Sequence, residues 1–466
     1  MSNTELDAPD LAESRMDEDD RLKPEFVRAV MDRVDAGDDE GARELVEPLH
    51  PADVADLIEA VDRTDRSALA QALSGLIGGD VLSELNEWVR DELIEALSPT
   101  QVAEIAGEME TDDAVAIIEE MEEDDQRAVL RALDPDDRAA IEEALGYPEE
   151  SAGRLMQRDL IAVPEHWKVG QILDYLRAGD DLPTDFWEVY VVDPAHRPIG
   201  TMLLSWILRT PRGIAVADLM QREQTLIPVD MDQEEVALRF QKYALISAAV
   251  VDASGRLVGM ITVDDIVHII QEEASEDALL LSGAGEGDIN EPVVDSYKSR
   301  VRWLLANLIT ALLAATIISL FQDTIAQMVT LAALMPIVAG VGGNAGTQTL
   351  AVTVRALATN ELTQSNTMRA IVREIRVAVL NGITVAIVIG IGVSLFFANP
   401  MLGAVIATAM LVNIVIAGLA GVLVPLGLDR AGADPAVASS VFVTMVTDSM
   451  GFFVFLGLAS ASGLVA

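Results

Sequence analysis

The sequence contains no cysteine, which excludes disulfides and thiolate metal sites. It also lacks a Gly-x-x-x-x-Gly-Lys-Ser/Thr loop, so we expect no ATP hydrolysis. Histidine is rare, and its four copies are scattered before residue 296, at His50, His166, His196 and His268. A soft transition-metal site in the C-terminal part is therefore disfavoured, and no paired catalytic signature stands out. We predict that the protein is not an enzyme.

Basic residues are also scarce, with 31 Lys and Arg against 76 Asp and Glu and a net charge of -45. Nucleic acid binding depends on basic side chains that neutralise phosphates, so we expect no nucleic acid partner. Residues 1–295 hold 70 acids and 23 bases, whereas residues 296–466 hold 6 acids and 8 bases. This split indicates an aqueous part followed by a part in lipid. The acidity of the first part has two open explanations, solubility at high salt and selective cation binding.

The N-terminal part has no apolar run in its first 25 residues, so we expect no signal peptide and a cytoplasmic N-terminus. Residues 1–22 are acidic with few hydrophobic side chains, which predicts a disordered tail. From 23 to 148, short helical patterns restart at Pro51, Pro99 and Pro135, where proline suits the first helical residue. This recurrence predicts an all-α superhelical domain of stacked helix pairs.

Residues 149–271 contain an internal repeat. The string Leu155-Met156-Gln157-Arg158 returns as Leu219-Met220-Gln221-Arg222, and each copy predicts strand, helix, strand, turn, strand and helix. The pattern resembles a tandem pair of CBS modules, at 149–212 and 213–271. The second copy fits that family's Gly, two apolar residues, Thr-x-x-Asp pattern, which implies nucleotide binding by Asp265 with ATP as the ligand. The first copy lacks this aspartate, and a purely structural module is the alternative.

A helix from Asp264 to about Leu281 follows the repeat, and the glycine-rich segment 283–288 predicts a flexible break after it. We take residues 272–295 as a connecting helix and linker that lead into the last domain, 296–466.

Five apolar stretches in this last domain each reach the roughly 20 residues needed to cross a hydrocarbon core of about 30 Å. They lie at about 303–321, 328–351, 371–397, 401–427 and 436–461. All eight basic residues fall on one side of this arrangement, and the positive-inside rule makes that side cytoplasmic. We therefore predict a multi-pass protein of the cell membrane with five spans, its N-terminus in the cytoplasm and its C-terminus outside.

An isolated aspartate, Asp448, lies in the middle of the last stretch. An ionisable group at that depth is costly and by default marks an ion or proton pathway, with helix packing as the alternative. Ser440 and Thr444 precede it at spacings of four residues, so the three side chains share one helix face. This stripe predicts one wall of a wet path. Asn413, in the fourth stretch, fits packing and an ion path equally well.

The second stretch contains a polar segment from Pro336 to Gln348, with four glycines and Asn344. Such a composition predicts irregular backbone, which is tolerated at membrane depth only where it lines a cavity or is buried in protein. We expect this segment to present carbonyl groups and the Asn344 amide to a passing ion. Close helix packing through the glycines is the alternative.

Nearly the whole chain resembles the MgtE family of magnesium channels and transporters. The order of parts agrees, and the most specific matches are the Gly-Gly-Asn-x-Gly-x-Gln core at 342–348 and the segment from Asp448 to Phe453. The resemblance implies a homodimer in the lipid bilayer whose pore is lined by spans two and five, with Asp448 of each subunit as the principal ion site. The other pore positions that it implies are Gly340, Asn344, Ser440 and Thr444. Ser440 departs from the asparagine of one member.

Magnesium suits such a pore, because Mg²⁺ keeps a near-octahedral water shell that carboxylate, amide and hydroxyl oxygens can hold. The resemblance also implies gating by cytosolic Mg²⁺, which would bind between acidic domains, offset their repulsion and press the connecting helix against the pore. The sensor residues to which it points are Asp264, Asp265, Glu273, Glu276 and Asp277. A solvated acidic face is the alternative for these five residues.

The sequence thus predicts an α-helical transmembrane domain of five spans, a cytoplasmic all-α superhelical domain and an α/β tandem CBS pair. The predicted function is Mg²⁺ uptake, with Mg²⁺ as both the transported and the regulatory ion. Two alternatives stay open. One is a membrane-anchored Mg²⁺ sensor or scaffold without transport, and the other is a transporter for another divalent cation such as Co²⁺ or Mn²⁺.

Overall fold

The computed structural model describes residues 15–19, 21–179, 182–183, 186–282, 290–363 and 365–464. Most of the predicted acidic tail, at 1–14 and 20, and the whole predicted break at 283–288 lie outside these residues. By its internal contacts the chain divides into two units, Met1–Ile270 and Gln271–Ala466, and each is described by itself.

The first unit begins with short helices packed around one core. Between Pro24 and Ala144 the described helices are α1 (Pro24–Asp35), α2 (Asp39–Val46), α3 (Pro51–Glu59), α4 (Arg63–Ala72), α5 (Gly79–Glu84), α6 (Glu87–Glu95), α7 (Pro99–Ala106), α8 (Thr111–Glu119), α9 (Glu123–Ala132) and α10 (Pro135–Ala144). Three of them open on the prolines that predict them, Pro51, Pro99 and Pro135. Leu57 and Ile118 are wholly buried in the shared core. The predicted all-α domain is confirmed.

Two copies of one strand and helix pattern complete the first unit. The first copy contains β1 (Ala162–Pro164), α11 (Val169–Ala178), β2 (Glu188–Val192), β3 (Pro198–Leu203) and α12 (Leu204–Arg209), and a short α13 (Val216–Leu219) follows. The second contains β4 (Leu226–Pro228), α14 (Gln233–Tyr243), β5 (Ser247–Val251), β6 (Leu257–Thr262) and α15 (Val263–Ser282). In each copy the first two strands are parallel and the last two antiparallel. Both also carry an irregularity at the equivalent place, after Val191 and after Val250, so the predicted internal repeat is confirmed.

The two copies share a small buried core. Tyr190 of β2 packs with Ala249 of β5 and Met260 of β6. The Tyr190 hydroxyl donates a hydrogen bond of 3.1 Å to Oγ of Ser247, which supplies the partner that a buried phenol needs. The two sheets are therefore joined as one α/β pair, in agreement with the predicted tandem CBS architecture.

The second unit is helical in all its long described elements. After the end of α15 these elements are α16 (Val293–Ser319), α17 (Gln322–Gln327), α18 (Thr330–Ala358), α19 (Thr367–Phe396), α20 (Pro400–Arg430) and α21 (Pro435–Ala461). Apart from α17 they have 27 to 31 residues, which corresponds to about 40 to 47 Å at 1.5 Å per residue. These five long helices overlap the five predicted apolar stretches.

Four of the described helices are long and apolar enough to cross a membrane by length and composition, namely α16, α19, α20 and α21. Helix α18 is also long enough, but its glycine-rich polar segment lowers its hydropathy, so a fifth span stays a prediction. Helix α20 lies at the centre of the unit, where it packs against α18, α19 and α21. This central helix therefore sets the spacing of the two helices that carry the predicted pore residues, α18 and α21.

Candidate ion pathway and acidic cluster

Helix α18 contains the predicted pore segment, and its backbone is helical throughout from Thr330 to Ala358. The prediction of irregular backbone at 336–348 is therefore wrong. Pro336 removes one hydrogen-bond donor, but the helix continues because its small residues pack tightly against neighbouring helices. The carbonyl groups of this segment accept hydrogen bonds within the helix. Its ion ligands must therefore be side chains such as that of Asn344.

The predicted residues of α18 lie on its exposed face. Gly340 and Asn344 are exposed in the single chain and one helical turn apart. A methyl group added at Gly340 would meet no atom within 4 Å. Among the residues that the structure describes, no partner is found for the Asn344 amide. This face is therefore available to water, to an ion or to a second copy of the chain.

Helix α21 carries the other three predicted residues. Ser440, Thr444 and Asp448 are half-buried along one face of this helix, as the four-residue spacing predicts. Within the described ranges, the Asp448 carboxylate has no hydrogen bond and no ion pair. A lone carboxylate in an apolar helix needs water, a cation or a group from another chain. The structure thus brings the five predicted pore residues onto two packed helices, α18 and α21.

The side chain of Asn413 on α20 packs between these two helices. Its side chain is wholly buried, and Nδ2 donates a hydrogen bond of 3.0 Å to the Val338 carbonyl on α18. A methyl group at Gly451 on α21 would lie 2.8 Å from Nδ2, and one at Gly342 on α18 would overlap that atom. Glycine is thus required at both positions, because any larger residue would collide with the Asn413 side chain. Nδ2 of Asn413 therefore serves helix packing, whereas its Oδ1 is buried without a hydrogen-bond partner among the described residues, and a role in the ion path stays open.

A further glycine sets the direct contact between α18 and α21. A methyl group at Gly346 would lie 2.6 Å from Cγ1 of Val443 and 3.3 Å from Cγ2 of Thr447. Thr447 immediately precedes Asp448, and Asn344 lies two residues before Gly346, so this contact fixes the predicted pore residues relative to each other. Gly342 and Gly346 have the small-xxx-small spacing of close helix pairs, a signal that could have identified this contact from sequence.

In the first unit, acidic residues gather around the start of α15. Asp112 and Asp113, in the first turn of α8, lie near Asp265 in the first turn of α15. Glu110 and Asp264 add two further negative charges to the same place. Oδ1 of Asp112 is buried without a hydrogen-bond partner in the part of the chain that the structure describes. These five residues form the acidic cluster, whose oxygens are ligands of the kind that Mg²⁺ prefers.

A chain of hydrogen bonds links two members of the acidic cluster, Glu110 and Asp265. The buried Gln157 donates through Nε2 to Oε2 of Glu110 at 2.9 Å and to Oγ1 of Thr262 at 3.3 Å. The Thr262 hydroxyl in turn donates to Oδ2 of Asp265 at 2.8 Å. Gln157 belongs to the string that the sequence repeats, and here it joins the helical domain to the second CBS copy. These hydrogen bonds therefore position Glu110 and Asp265 within the cluster.

Burial and mutual repulsion raise the pKa values in this cluster. Burial first and Asp265 second raise the pKa of Glu110 to about 7 and that of Asp113 to about 6. The same two causes raise the pKa of Asp112 well above its usual range. Because folding raises these pKa values, the arrangement is most stable when the carboxyls are protonated, at low pH. It loses stability as the pH rises through about 6 to 7, unless a cation replaces the protons.

The far end of α15 belongs to the second unit. Leu280 and Leu281 pack there against a buried apolar cluster of α18, α20 and α21. Burial first, and then repulsion by Asp434 at the start of α21, raises the pKa of Asp277. Glu273 is half-buried and Glu276 is exposed on the same helix. The structure thus places the predicted sensor residues along one helix, with Asp264 and Asp265 in the acidic cluster and Asp277 near Asp434.

The nucleotide-binding prediction also rests on Asp265. Its carboxylate accepts the Thr262 hydrogen bond and lies near Asp112 and Asp113, which would repel the phosphates of a nucleotide. Cation binding at Asp265 and ATP binding by the CBS pair both stay predictions.

Comparison with known proteins matches three parts of the chain. A family model described as MgtE, divalent cation transporter, matches residues 335–458, the MgtE intracellular N domain matches 49–150, and a CBS domain matches 216–272. The magnesium transporter MgtE of Bacillus subtilis is 30% identical over 422 residues, which are 90% of this chain and 93% of that protein. The magnesium transporter MgtE of Thermus thermophilus is 30% identical over 445 residues, 94% of this chain and 98% of that protein. A crystal structure titled as the cytosolic domain of the Mg²⁺ channel MgtE in complex with ATP is 30% identical with a TM-score of 0.48, and the match covers 52% of this chain and 99% of that one.

Proposed function

The chain belongs to the MgtE family of divalent cation transporters, and from this membership we propose that it is a channel for Mg²⁺ uptake that cytosolic Mg²⁺ closes. The observation that carries the proposal is the carboxylate of Asp448, which is half-buried in an apolar helix beside α18 and has no partner among the residues that the structure describes. A membrane anchor needs no such group, because burying it without a partner is costly.

Two copies of the chain form the proposed pore, with α18 and α21 of each lining it. Asp448 supplies one carboxylate from each copy. Amide and hydroxyl oxygens along the same path come from Asn344, Ser440 and Thr444. Gly340 has no side chain that would narrow this path. The pair of carboxylates holds Mg²⁺ through its own water shell, which this ion gives up reluctantly. All five long helices of the second unit span the membrane in this proposal, with the N-terminus and the eight bases of residues 296–466 on the cytoplasmic side.

A transport test separates this function from its alternatives. The chain should restore growth at low Mg²⁺ to a bacterial host that has lost its own Mg²⁺ uptake. After reconstitution in liposomes, it should carry Mg²⁺ down a gradient without ATP, as read by a dye inside the vesicles. A correctly assembled protein without flux would identify a membrane-anchored sensor or scaffold. Faster entry of Co²⁺ or Mn²⁺ than of Mg²⁺, in competition, would identify a transporter for another cation.

The acidic cluster and α15 form the proposed gate. Mg²⁺ bound by Asp112, Asp113 and Asp265 neutralises carboxylates that otherwise repel one another, and so favours the compact state of the first unit. Helix α15 carries Asp265 at its first turn and Leu280 at its last, against the apolar cluster of the second unit. In this proposal the cation acts on the pore through α15, which is the covalent connection between the acidic cluster and the pore domain. Oδ1 of Asp112 is buried and has no hydrogen-bond partner within the described residues, which supports this assignment over a solvated acidic face.

The gate predicts the behaviour of a double variant, Asp112→Asn/Asp113→Asn. It removes two of the three proposed cation ligands and the repulsion that they cause, so transport should no longer respond to Mg²⁺ on the cytoplasmic side. The unaltered protein should change its flux by about 5- to 150-fold between low and high cytoplasmic Mg²⁺, the usual range of an allosteric coupling. The measurement is liposome flux at both Mg²⁺ levels with the electrochemical gradient held constant.

The matched control is Asp124→Asn/Asp125→Asn, which removes two adjacent acids from the first turn of the next helix, α9. This variant should keep the full response. An equal loss in both variants would assign the effect to the general acidic surface. A full response in the Asp112 and Asp113 variant would show that the acidic cluster is not the sensor.

A further inference from the structure

Arginines are concentrated where α18 ends and α19 begins. Arg355 lies in the last turn of α18, and Arg369, Arg373 and Arg376 lie in the first turns of α19, which is half of the eight bases in residues 296–466. Arg373 is paired with Glu374 at 2.5 Å. Within the described part of the chain, the side chains of Arg355 and Arg369 have no ion pair and no hydrogen bond. Two guanidinium groups are therefore free in a protein that otherwise has an excess of acids.

These arginines line a cavity of about 520 Å³, a volume in the range of small-ligand sites, about 300 to 1,000 Å³. Its charged lining consists of Arg355, Arg369, Arg373, Glu361 and Glu374. Glu374 is 8% exposed and already paired with Arg373, so the free charge is that of two arginines against Glu361. The cavity therefore carries a positive charge that suits an anion.

The cavity continues along the helices as an apolar groove. A second cavity of about 180 Å³ shares Val352, Arg373 and Glu374 with the first and is also lined by Ala345 and Val377. Ala345 lies ten residues before Arg355 in the same helix, about 15 Å along its axis, which is half of a hydrocarbon core of about 30 Å. Val352 is 50% exposed and Val377 is 39% exposed.

Val352 and Val377 are the groove residues next to the arginines, three residues from Arg355 and four from Arg373, about 4 to 6 Å along the helix axes. Gln348 and Asn381 line the second cavity, and each lies seven or eight residues from the nearest cavity arginine of its own helix, about 10 to 12 Å along the axis. From the arginine end inward, the lining thus changes from guanidinium to exposed valine and then to amide and alanine. An apolar wall directly beside two guanidinium groups suits a ligand that carries both a phosphate and an acyl chain.

We propose that this groove between α18 and α19 binds one anionic phospholipid. Its phosphate lies between Arg355 and Arg369, since a guanidinium fork matches two phosphate oxygens. One acyl chain leaves the head group along the exposed side chains of Val352 and Val377. Basic pockets between membrane helices bind anionic head groups in this manner. A soluble phosphate compound would use the arginines but not the apolar groove.

The test is native mass spectrometry of the full chain in detergent, with phosphatidylglycerol and phosphatidylcholine of identical acyl chains as probes. The unaltered chain should retain phosphatidylglycerol and lose phosphatidylcholine. Arg355→Gln/Arg369→Gln should weaken phosphatidylglycerol binding by about 30-fold, the effect of two basic residues near a lipid head group. The matched control is Arg300→Gln/Arg302→Gln, which removes two exposed, unpaired arginines of α16 outside the cavity and should bind as the unaltered chain does.

A groove-filling variant tests the acyl contact with every arginine in place. Val352→Trp should reduce phosphatidylglycerol retention, whereas glycerol phosphate should compete poorly with the lipid in the unaltered chain. Equal weakening in the Arg300 and Arg302 control would reduce the effect to general surface charge and overturn the proposal. Equal affinity for glycerol phosphate and phosphatidylglycerol would identify a site for a soluble phosphate. Unchanged lipid binding in the arginine double variant or in Val352→Trp would also overturn it.

Discussion

Asp448→Asn is expected to abolish Mg²⁺ flux while leaving the fold intact. Asparagine has nearly the same shape as aspartate but no charge and only one acceptor oxygen. Each subunit thereby loses the group that in our proposal holds the hydrated ion, whereas no hydrogen bond or ion pair is lost within the described residues. Initial Mg²⁺ flux into liposomes should fall by at least about 100-fold, which corresponds to about 2.7 kcal/mol.

Asp323→Asn is the matched control for this substitution. Asp323 is another of the six acids of residues 296–466 and lies on the short helix α17, between α16 and α18. Its replacement removes the same charge from the same unit and should leave flux within about twofold, as surface changes usually do. The thermal midpoint of Asp448→Asn in detergent should equal or exceed that of the unaltered chain, because an unpartnered carboxylate is removed. Normal flux in Asp448→Asn would remove the main support for the pore.

The elements that the sequence predicted well are those whose signals are local. Pro51, Pro99 and Pro135 begin helices because a proline at the first helical position loses no hydrogen bond. The CBS repeat was visible because each copy carries its own strand and turn pattern within about sixty residues. The stripe of Ser440, Thr444 and Asp448 needs only the helical period to share a face.

The backbone of α18 could not be predicted from its own residues. The glycines and proline between Pro336 and Gln348 favour a broken helix, because each lowers helix propensity. The structure keeps the helix since Asn413, Val443 and Thr447, all at least 70 residues away in sequence, fill the space beside Gly342 and Gly346. Local propensity was thus overridden by packing that no local pattern records.

The acidic cluster escaped prediction for a different reason. Asp112 and Asp113 stand among so many acids in residues 1–295 that no spacing distinguishes them. What distinguishes them is burial beside Asp265, more than 150 residues further along the chain. Burial against a distant segment is a tertiary property, whereas Asp265 itself was identified because it falls in the CBS pattern.

The second large effect that we expect is on stability, at the contact between Gly342 and the side chain of Asn413. Gly342→Ala should destabilise the protein by about 1 to 3 kcal/mol, the usual cost of overpacking, because its methyl group would overlap Nδ2 of Asn413. Asn413→Ala should also destabilise, since the hydrogen bond to Val338 is lost and a cavity opens. The double variant places the new methyl group in that cavity, so the two costs should not add. A coupling of roughly 0.5 to 3 kcal/mol is expected for residues in contact, and unfolding of all variants in the same detergent measures it.

Gly343→Ala is the control for the cycle, because a methyl group at Gly343 meets no atom within 4 Å and alanine favours the helix. It should be neutral or stabilising. Additive costs in the Gly342 and Asn413 cycle would show that the two residues do not touch. Mg²⁺ flux should also depend on this packing. Asn344 lies two residues after Gly342, and Asp448 lies three residues before Gly451, the second glycine that packs against Asn413. A methyl group added at the contact between Gly342 and Asn413 displaces both helices of the proposed pore. Gly342→Ala should therefore lose Mg²⁺ flux, and the additional Asn413→Ala substitution should restore part of it.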